Sequence, residues 1–239
     1  MKSWLDRVLS IALTIAILGM TATLFHREFI RESPERRSLK DFPAPELVNE
    51  WRSLLGSSVL FGDSGAPVII VEFADLQCPY CREYHKDLKR LRQQFGSKVA
   101  LAFVHFPLPY HPSAKLAARA FECSRPFAVS ERFLDTVYEK QDSLGAKSWK
   151  SFAEEAGVPD TRQFEQCVSD TASVRNVEAG IEAGRKIQVD GTPTVLINGW
   201  RFKNAPRLPL LIEVVKALLE GKDPSALTPE KAKASERGR

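Results

Sequence analysis

Two thiols stand two residues apart in Cys78-Pro79-Tyr80-Cys81, directly after an apolar run and at the opening of a helical pattern. The thiolate is the nucleophile of disulfide exchange. A helix N-terminus offers unpaired N–H groups and about half a unit of positive charge, and both favour a thiolate. The first cysteine then sits at the exposed end. The second lies one turn inside, where i and i+3 neighbours meet, and can resolve a mixed disulfide. The same spacing also suits half of a zinc site, with His85 four residues beyond Cys81 as a further ligand, or a plain structural disulfide. A zinc site would want a second CxxC. The other two cysteines, Cys123 and Cys167, are isolated and 44 positions apart.

Two more features bear on the pair. Glu72 falls inside the apolar run Val68-Ile69-Ile70-Val71-Glu72-Phe73, six residues before Cys78. An acid there is costly unless it has a role; the plain alternative is a strand edge facing water. Gly191-Thr192-Pro193-Thr194 precedes a returning strand. Its X-Pro bond is a place for a cis peptide, the alternative being a trans proline at the strand start. His105 and His111 lie outside the cysteine motif and read as structural.

The elements that must position these residues follow from periodicity. Residues 68–73 suit a central strand buried on both faces. Pro79 suits a first helical position, and Tyr84, Leu88, Leu91 and Phe95 line one face of a helix over 79–95. A second apolar strand spans 99–106, so the order strand, helix, strand signals an α/β unit. A helical stretch follows, with Leu116, Ala120 and Phe121 periodic in its first member and Pro126 breaking it. Gly157 stands in a stop position, and Asp160 and Gln163 resemble a capping box. That last helix is expected to continue through Phe164, Cys167, Val168, Val174, Val177 and Ile181. Strand character returns at 194–197, and Asn198-Gly199 is a strong hairpin signal before Trp200-Arg201-Phe202. Residues 208–219 read as an amphipathic helix.

The chain has 239 residues, 44% of them hydrophobic, with 34 Lys and Arg against 30 acids. This excludes collagenous, fully disordered and disulfide-dense classes. A net charge of +4 is too small to suggest a nucleic-acid partner. Residues 8–25 form an uncharged run of 18 residues, roughly 27 Å as a helix, which just reaches across a membrane core. Met20 at position −3 of a cut after Ala22 fits signal peptidase poorly, which favours an uncleaved signal anchor. Lys2 and Arg7 on one side face Arg27, Arg31, Arg36, Arg37 and Lys40 on the other. That count alone would leave the C-side in the cytoplasm, but long C-terminal domains cross largely regardless of charge.

The segment Val71-Glu72-Phe73-Ala74-Asp75-Leu76-Gln77-Cys78-Pro79-Tyr80-Cys81, with Gly191-Thr192-Pro193-Thr194, resembles the thioredoxin superfamily. With Phe106-Pro107-Leu108, His111 and Ala114 it is most similar to the DsbA-like thiol:disulfide oxidoreductases, over about residues 59–220. The resemblance implies an α/β fold, a thioredoxin fold with a helical insertion between its halves, and the uncharged run over 8–25 puts an N-terminal transmembrane anchor before it. Between Cys81 and Pro193 lie 111 residues, where a bare thioredoxin unit needs roughly 45, so a glutaredoxin fits poorly. The expected organisation is a signal anchor over 1–29 and a juxtamembrane linker with a short helix over 30–63. The thioredoxin-like domain covers 64–112 and 185–221, the insertion 113–184, and a flexible tail 222–239.

By resemblance Cys78 attacks, Cys81 resolves, and Glu72 exchanges protons with Cys81. Pro193 is the cis-proline, and Thr192, Pro79 and Tyr80 tune the redox poise or touch substrate. No metal or cofactor is implied. Cys123 and Cys167 are either two buried thiols or, in an extracytoplasmic domain, a structural disulfide. The implied partners are thiol- or disulfide-containing proteins and a membrane redox partner that resets the CxxC. The domain is expected to face the periplasm or cell exterior, anchored to the cell membrane. Oxidase activity is favoured; a reductase or isomerase, a peptide-binding chaperone and a metal chaperone are the alternatives.

Overall fold

The computed structural model describes residues 43–171 and 175–227, together with Thr14 and Met20. The chain divides into a unit of Met1–Ser38 and a unit of Leu39–Arg239. Everything below concerns the second. The anchor expected over 1–29 lies outside the described residues apart from Thr14 and Met20. Among the described residues no helix is long and apolar enough to cross a membrane.

Six strands form one mixed sheet: β1 (Glu46–Leu47), β2 (Val59–Phe61), β3 (Val68–Ala74), β4 (Val99–His105), β5 (Thr194–Ile197) and β6 (Trp200–Phe202). Their order is β1-β6-β5-β3-β4-β2. The pair β3–β4 is parallel, as the crossover helix α1 (Pro79–Phe95) requires, and every other pair is antiparallel. The remaining helices are α2 (Ala114–Ser124), α3 (Ser130–Glu139), α4 (Trp149–Glu155), α5 (Thr161–Ser169), α6 (Arg175–Lys186) and α7 (Leu208–Leu219).

Strand alternation splits the core in two. Val68, Ile70 and Ala74 of β3, with Leu101 and Phe103 of β4, pack with α1, α7 and the helical insertion. Val71 and Phe73 point the other way, toward Trp51, Leu54 and Val189. Both faces are covered, which is why β3 reads as a continuous apolar run. Asn198 (φ 46°) and Gly199 (φ 88°) make the turn between β5 and β6 with both residues left-handed, as a primed hairpin turn demands. The Asn198 side chain also accepts the Ile69 N–H (2.8 Å) and donates to the Pro67 carbonyl (2.8 Å), tying the hairpin to the start of β3.

Three expectations are corrected. Residues 46–61 are part of the sheet domain instead of a linker. The short helix expected there is a 3₁₀ helix (Trp51–Ser57) opened by Trp51, which is 4% exposed, while Leu47 lies in β1 and is 51% exposed. Both edges gain a short antiparallel strand, which shields the open ladder groups of β4 and β6. The single helix expected from 161 onward is two, because Asp170 turns extended (ψ 113°) and ends α5; Val174 falls outside the described residues. Packing then assigns α6 to the sheet, since a Cβ on Gly180 would lie 2.4 Å from the His105 carbonyl. Finally, Pro224–Leu227 forms a 3₁₀ turn that buries Pro224 and Ser225, so the packed chain runs past the expected tail boundary. Within the first insertion helix, Leu116 is 40% exposed, while Ala117, Ala120 and Phe121 are buried.

Candidate active site

Cys78 caps the N-terminus of α1 in an extended conformation (φ −73°, ψ 120°), and Pro79 takes the first turn. Pro79 has no N–H to leave unsatisfied there and its φ suits the helix. Cys81 follows one turn in and is fully buried. Both thiols are free. The expectation that Cys78 is exposed is corrected: it is only 3% exposed, and Tyr80 at 75% is the residue that projects. The reason is tertiary. The loop before β5 lies against the sulfur, and Cys78 Sγ is 3.3 Å from the Thr192 carbonyl, to which it donates only in its protonated form. The Thr192–Pro193 peptide is cis.

Glu72 occupies the middle of β3, paired with Phe103 on one side and Val195 on the other. It is therefore on a central strand, and the alternative of a water-facing edge does not hold. Alternation turns it to the face of Ile70 and Ala74, the side on which Cys81, Tyr84 and Leu88 of α1 pack. Among the described residues neither carboxyl oxygen has a hydrogen-bond partner, nor do the buried hydroxyls of Tyr84 and Tyr138.

These surroundings separate the proton affinities of the three groups. Burial, and then the charge on Cys78, push the Glu72 carboxyl up to about 8. A hydrogen bond from the Cys81 thiol is the largest influence lowering Cys78. Burial opposes it, and the Thr192 side chain and the amides of Cys81 and Tyr80 add to it; the result is about 6. Cys81 is held well above the usual thiol value, first by burial, then by the bond it gives to Cys78 and by the charges of Glu72 and Cys78. At neutral pH the site thus holds a Cys78 thiolate, a Cys81 thiol and a protonated Glu72. One cluster thus holds a group able to act as a nucleophile, a second thiol one turn away and a carboxyl able to store a proton.

The turn 75–78 is held by side chains that carried no separate signal in the sequence. Gln141, buried in the 3₁₀ turn (Gln141–Ser143) that follows α3, donates to the carbonyls of Leu76 (2.9 Å) and Cys78 (3.0 Å). Gln77 accepts the Ser113 N–H at 2.7 Å. Asp75 is buried and accepts from the Gln77 N–H at 2.7 Å. An Asx turn of this kind is a readable pattern, and an acid directly after an apolar strand is a signal akin to the acid inside the strand that singled out Glu72. His85 turns Nε2 to Asp135 (2.7 Å), away from the role of a zinc ligand beside the cysteines. His105 Nε2 pairs with Glu122 of α2 (3.1 Å). Among the described residues no group of three or more His, Cys, Asp or Glu could hold a metal ion.

Cys123 of α2 is bonded to Cys167 of α5, with Cα atoms 5.7 Å apart. Closing a loop of 44 residues lowers unfolded-state entropy by about 4 kcal/mol on the chain model. Alanine at both positions should therefore lower stability to chemical denaturation by roughly 2–4 kcal/mol. Exchange at Cys78 should persist in the same variant below its melting temperature, and loss of exchange in a folded variant would refute the separation of the two pairs.

The family model described as Thioredoxin matches residues 55–217. A curated relative, the Na(+)/H(+) antiporter NhaA 1 of Mycolicibacterium vanbaalenii, is 32% identical over 162 residues, 65% of this chain. The chain spans only about a quarter of that protein's length (26%), so the printed activity describes a much longer molecule. Among solved structures, oxidised BdbD from Bacillus subtilis is similar at 20% identity and TM-score 0.63, covering 75% of this chain and 99% of its own. Alpha-DsbA1 of Wolbachia pipientis is similar at 21% identity and TM-score 0.58, covering 67% of this chain and 90% of its own. At such identities the likeness is one of fold: a thioredoxin sheet with helices inserted between its halves.

Proposed function

The chain belongs to the thioredoxin superfamily, with the fold of its DsbA-like thiol:disulfide oxidoreductases, and from that premise we propose that it oxidises protein thiols outside the cytoplasm. The observation that carries the direction is the contrast inside the CxxC: Cys78 is held at about 6 while Cys81 is held high. A stabilised Cys78 thiolate favours the reduced enzyme and so makes the disulfide form a better oxidant.

In the oxidising direction a substrate thiolate attacks Cys78 Sγ. The Cys78–Cys81 bond breaks, and Cys81 leaves as a thiolate that takes the Glu72 proton. A second substrate thiolate then attacks the substrate sulfur of the mixed disulfide. Cys78 departs as a thiolate, a good leaving group because its pKa is low. The substrate has lost two electrons and the enzyme has gained them. A membrane redox partner that accepts those electrons completes the cycle. Thr192 and Pro193 lie beside Cys78 and offer main-chain groups to an extended substrate, with Pro79 and Tyr80 on its other flank. The location is supported by the Cys123–Cys167 bond, which suits an oxidising compartment, and by the uncharged run over 8–25, which suits a single anchor.

The deciding measurement is the reduction potential of the Cys78–Cys81 couple in glutathione buffers. We expect a value between about −120 and −200 mV, in the range of oxidants and isomerases. A potential near −270 mV, that of thioredoxin, would assign the protein to reduction instead.

A further inference from the structure

His111 lies outside the cysteine motif, yet it is bonded into the turn that carries Cys78. The link runs through Asp75, whose side chain is 0% exposed. A carboxylate this deep needs its oxygens filled. Oδ1 accepts the Gln77 N–H at 2.7 Å. Oδ2 accepts the Leu108 N–H at 2.8 Å and a hydrogen from His111 Nδ1 at 2.7 Å. The carboxylate oxygen is the acceptor of this contact, so Nδ1 is the ring nitrogen that donates. The main-chain carbonyl of Asp75 accepts the Cys78 N–H at 3.1 Å. One residue therefore joins the loop after β4 to the amide frame of the attacking cysteine.

We propose that His111, acting through Asp75, is a positioning residue for the redox turn: it holds the 75–78 backbone in register with the loop after β4 and keeps the buried Asp75 carboxylate of that turn hydrogen-bonded. The inference rests on the exchange chemistry proposed above. Two physical consequences follow from removing the Nδ1 donor. The carboxylate loses one of its three donors, and a turn with a buried acceptor left unfilled no longer holds Cys78 firmly against the Cys81 and Tyr80 amides that stabilise its thiolate. The Leu108 contact loses its companion, so the turn that orients Cys78 loosens. The imidazole side chain is 18% exposed and its ring meets Tyr110 edge-on at 4.7 Å, so its removal does not empty the main core.

The test uses the full chain and the variants His111→Ala, His111→Asn and Asp75→Asn. Asparagine places an N–H donor where Nδ1–H stood, so it is the conservative rescue. Three quantities are read: thiolate absorbance of reduced Cys78 against pH, kcat and KM for oxidation of a dithiol peptide, and the melting temperature. His111→Ala should raise the Cys78 pKa by about one and lower kcat several-fold with little change in KM. His111→Asn should recover both. In an Asp75→Asn background His111→Ala should add nothing further, as a double-mutant cycle through one contact requires. A His111→Ala protein with wild-type Cys78 titration and kcat but a lower melting temperature would show a merely structural role. An undiminished effect in the Asp75→Asn background would equally overturn the proposal. A wild-type protein that does not oxidise the peptide refutes the function reading, and the Cys78 titration still tests the positioning role.

Discussion

Cys78→Ser should reduce disulfide exchange to the uncatalysed background, whereas Cys81→Ser should stop turnover but leave mixed disulfides with substrate. The asymmetry comes from the geometry at the start of α1. Cys78 is the sulfur at the helix cap, stabilised as a thiolate near 6 by the Cys81 thiol and by the amides of Cys81 and Tyr80. A hydroxyl neither ionises in this range nor forms a bond to sulfur, so no first step remains. Cys81 is fully buried one turn inward and held well above its usual value, which suits it to resolve and not to attack. Without it, a mixed disulfide formed at Cys78 has no intramolecular exit. The check is a non-reducing gel of each variant after incubation with reduced and oxidised substrate proteins, beside a turnover assay. Adducts on Cys81→Ser and none on Cys78→Ser are expected. Full function in Cys78→Ser would point to a peptide-binding role without exchange chemistry.

Glu72→Gln should stabilise the protein at alkaline pH and slow its chemistry. Burial is the main cause that lifts the Glu72 carboxyl from its ordinary 4.5 to about 8. Between these values the folded state holds a proton that the unfolded state has lost. The unfolded state binds fewer protons, so wild-type stability falls as pH rises through that window. Below about 4.5 the acid is protonated in both states and the penalty is absent. The full span corresponds to roughly 3–5 kcal/mol. Glutamine keeps the shape and does not ionise, so its stability should lack this slope. The comparison is cleanest in the oxidised protein, where neither Cys78 nor Cys81 titrates and burial alone acts on Glu72. Denaturant titrations at pH 5 and pH 9 measure it, and parallel pH dependence in the two proteins would falsify the assignment. Kinetically, Cys81 then leaves or attacks without its proton partner. Mixed-disulfide formation should slow by about 10²-fold and lose its pH dependence in the region of Glu72 titration.

Much of this site is readable along the chain because its parts are local. Helix α1 begins at Pro79 and ends at Phe95 as its cap and its Tyr84, Leu88 and Leu91 stripe require. The Asn198-Gly199 turn announces itself because few residues accept two successive left-handed conformations. Glu72 and Pro193 stand out as residues that a plain strand or a plain loop does not favour. What was hidden depends on partners far away in sequence. Strand β1 has two residues and no period of its own; it exists because Glu46 and Leu47 meet Arg201 and Trp200. Trp51 looks like a member of a surface helix until Gly199 is seen lying against its ring, where a Cβ would approach to 2.3 Å.

The sequence by itself determined where the thiol pair and the buried acid stand. Residue type and spacing are enough to specify a thiol pair at a helix start and an acid in an apolar strand. Only the tertiary structure decided how these groups are tuned. The Thr192 carbonyl against Cys78, Gln141 on the carbonyls of the redox turn, and His111 on Asp75 each join residues 36 to 114 positions apart. Hydrogen bonds act over about 3 Å. Burial depends on every layer around a group. Neither quantity exists until the sheet, α1 and the inserted helices have closed over the site.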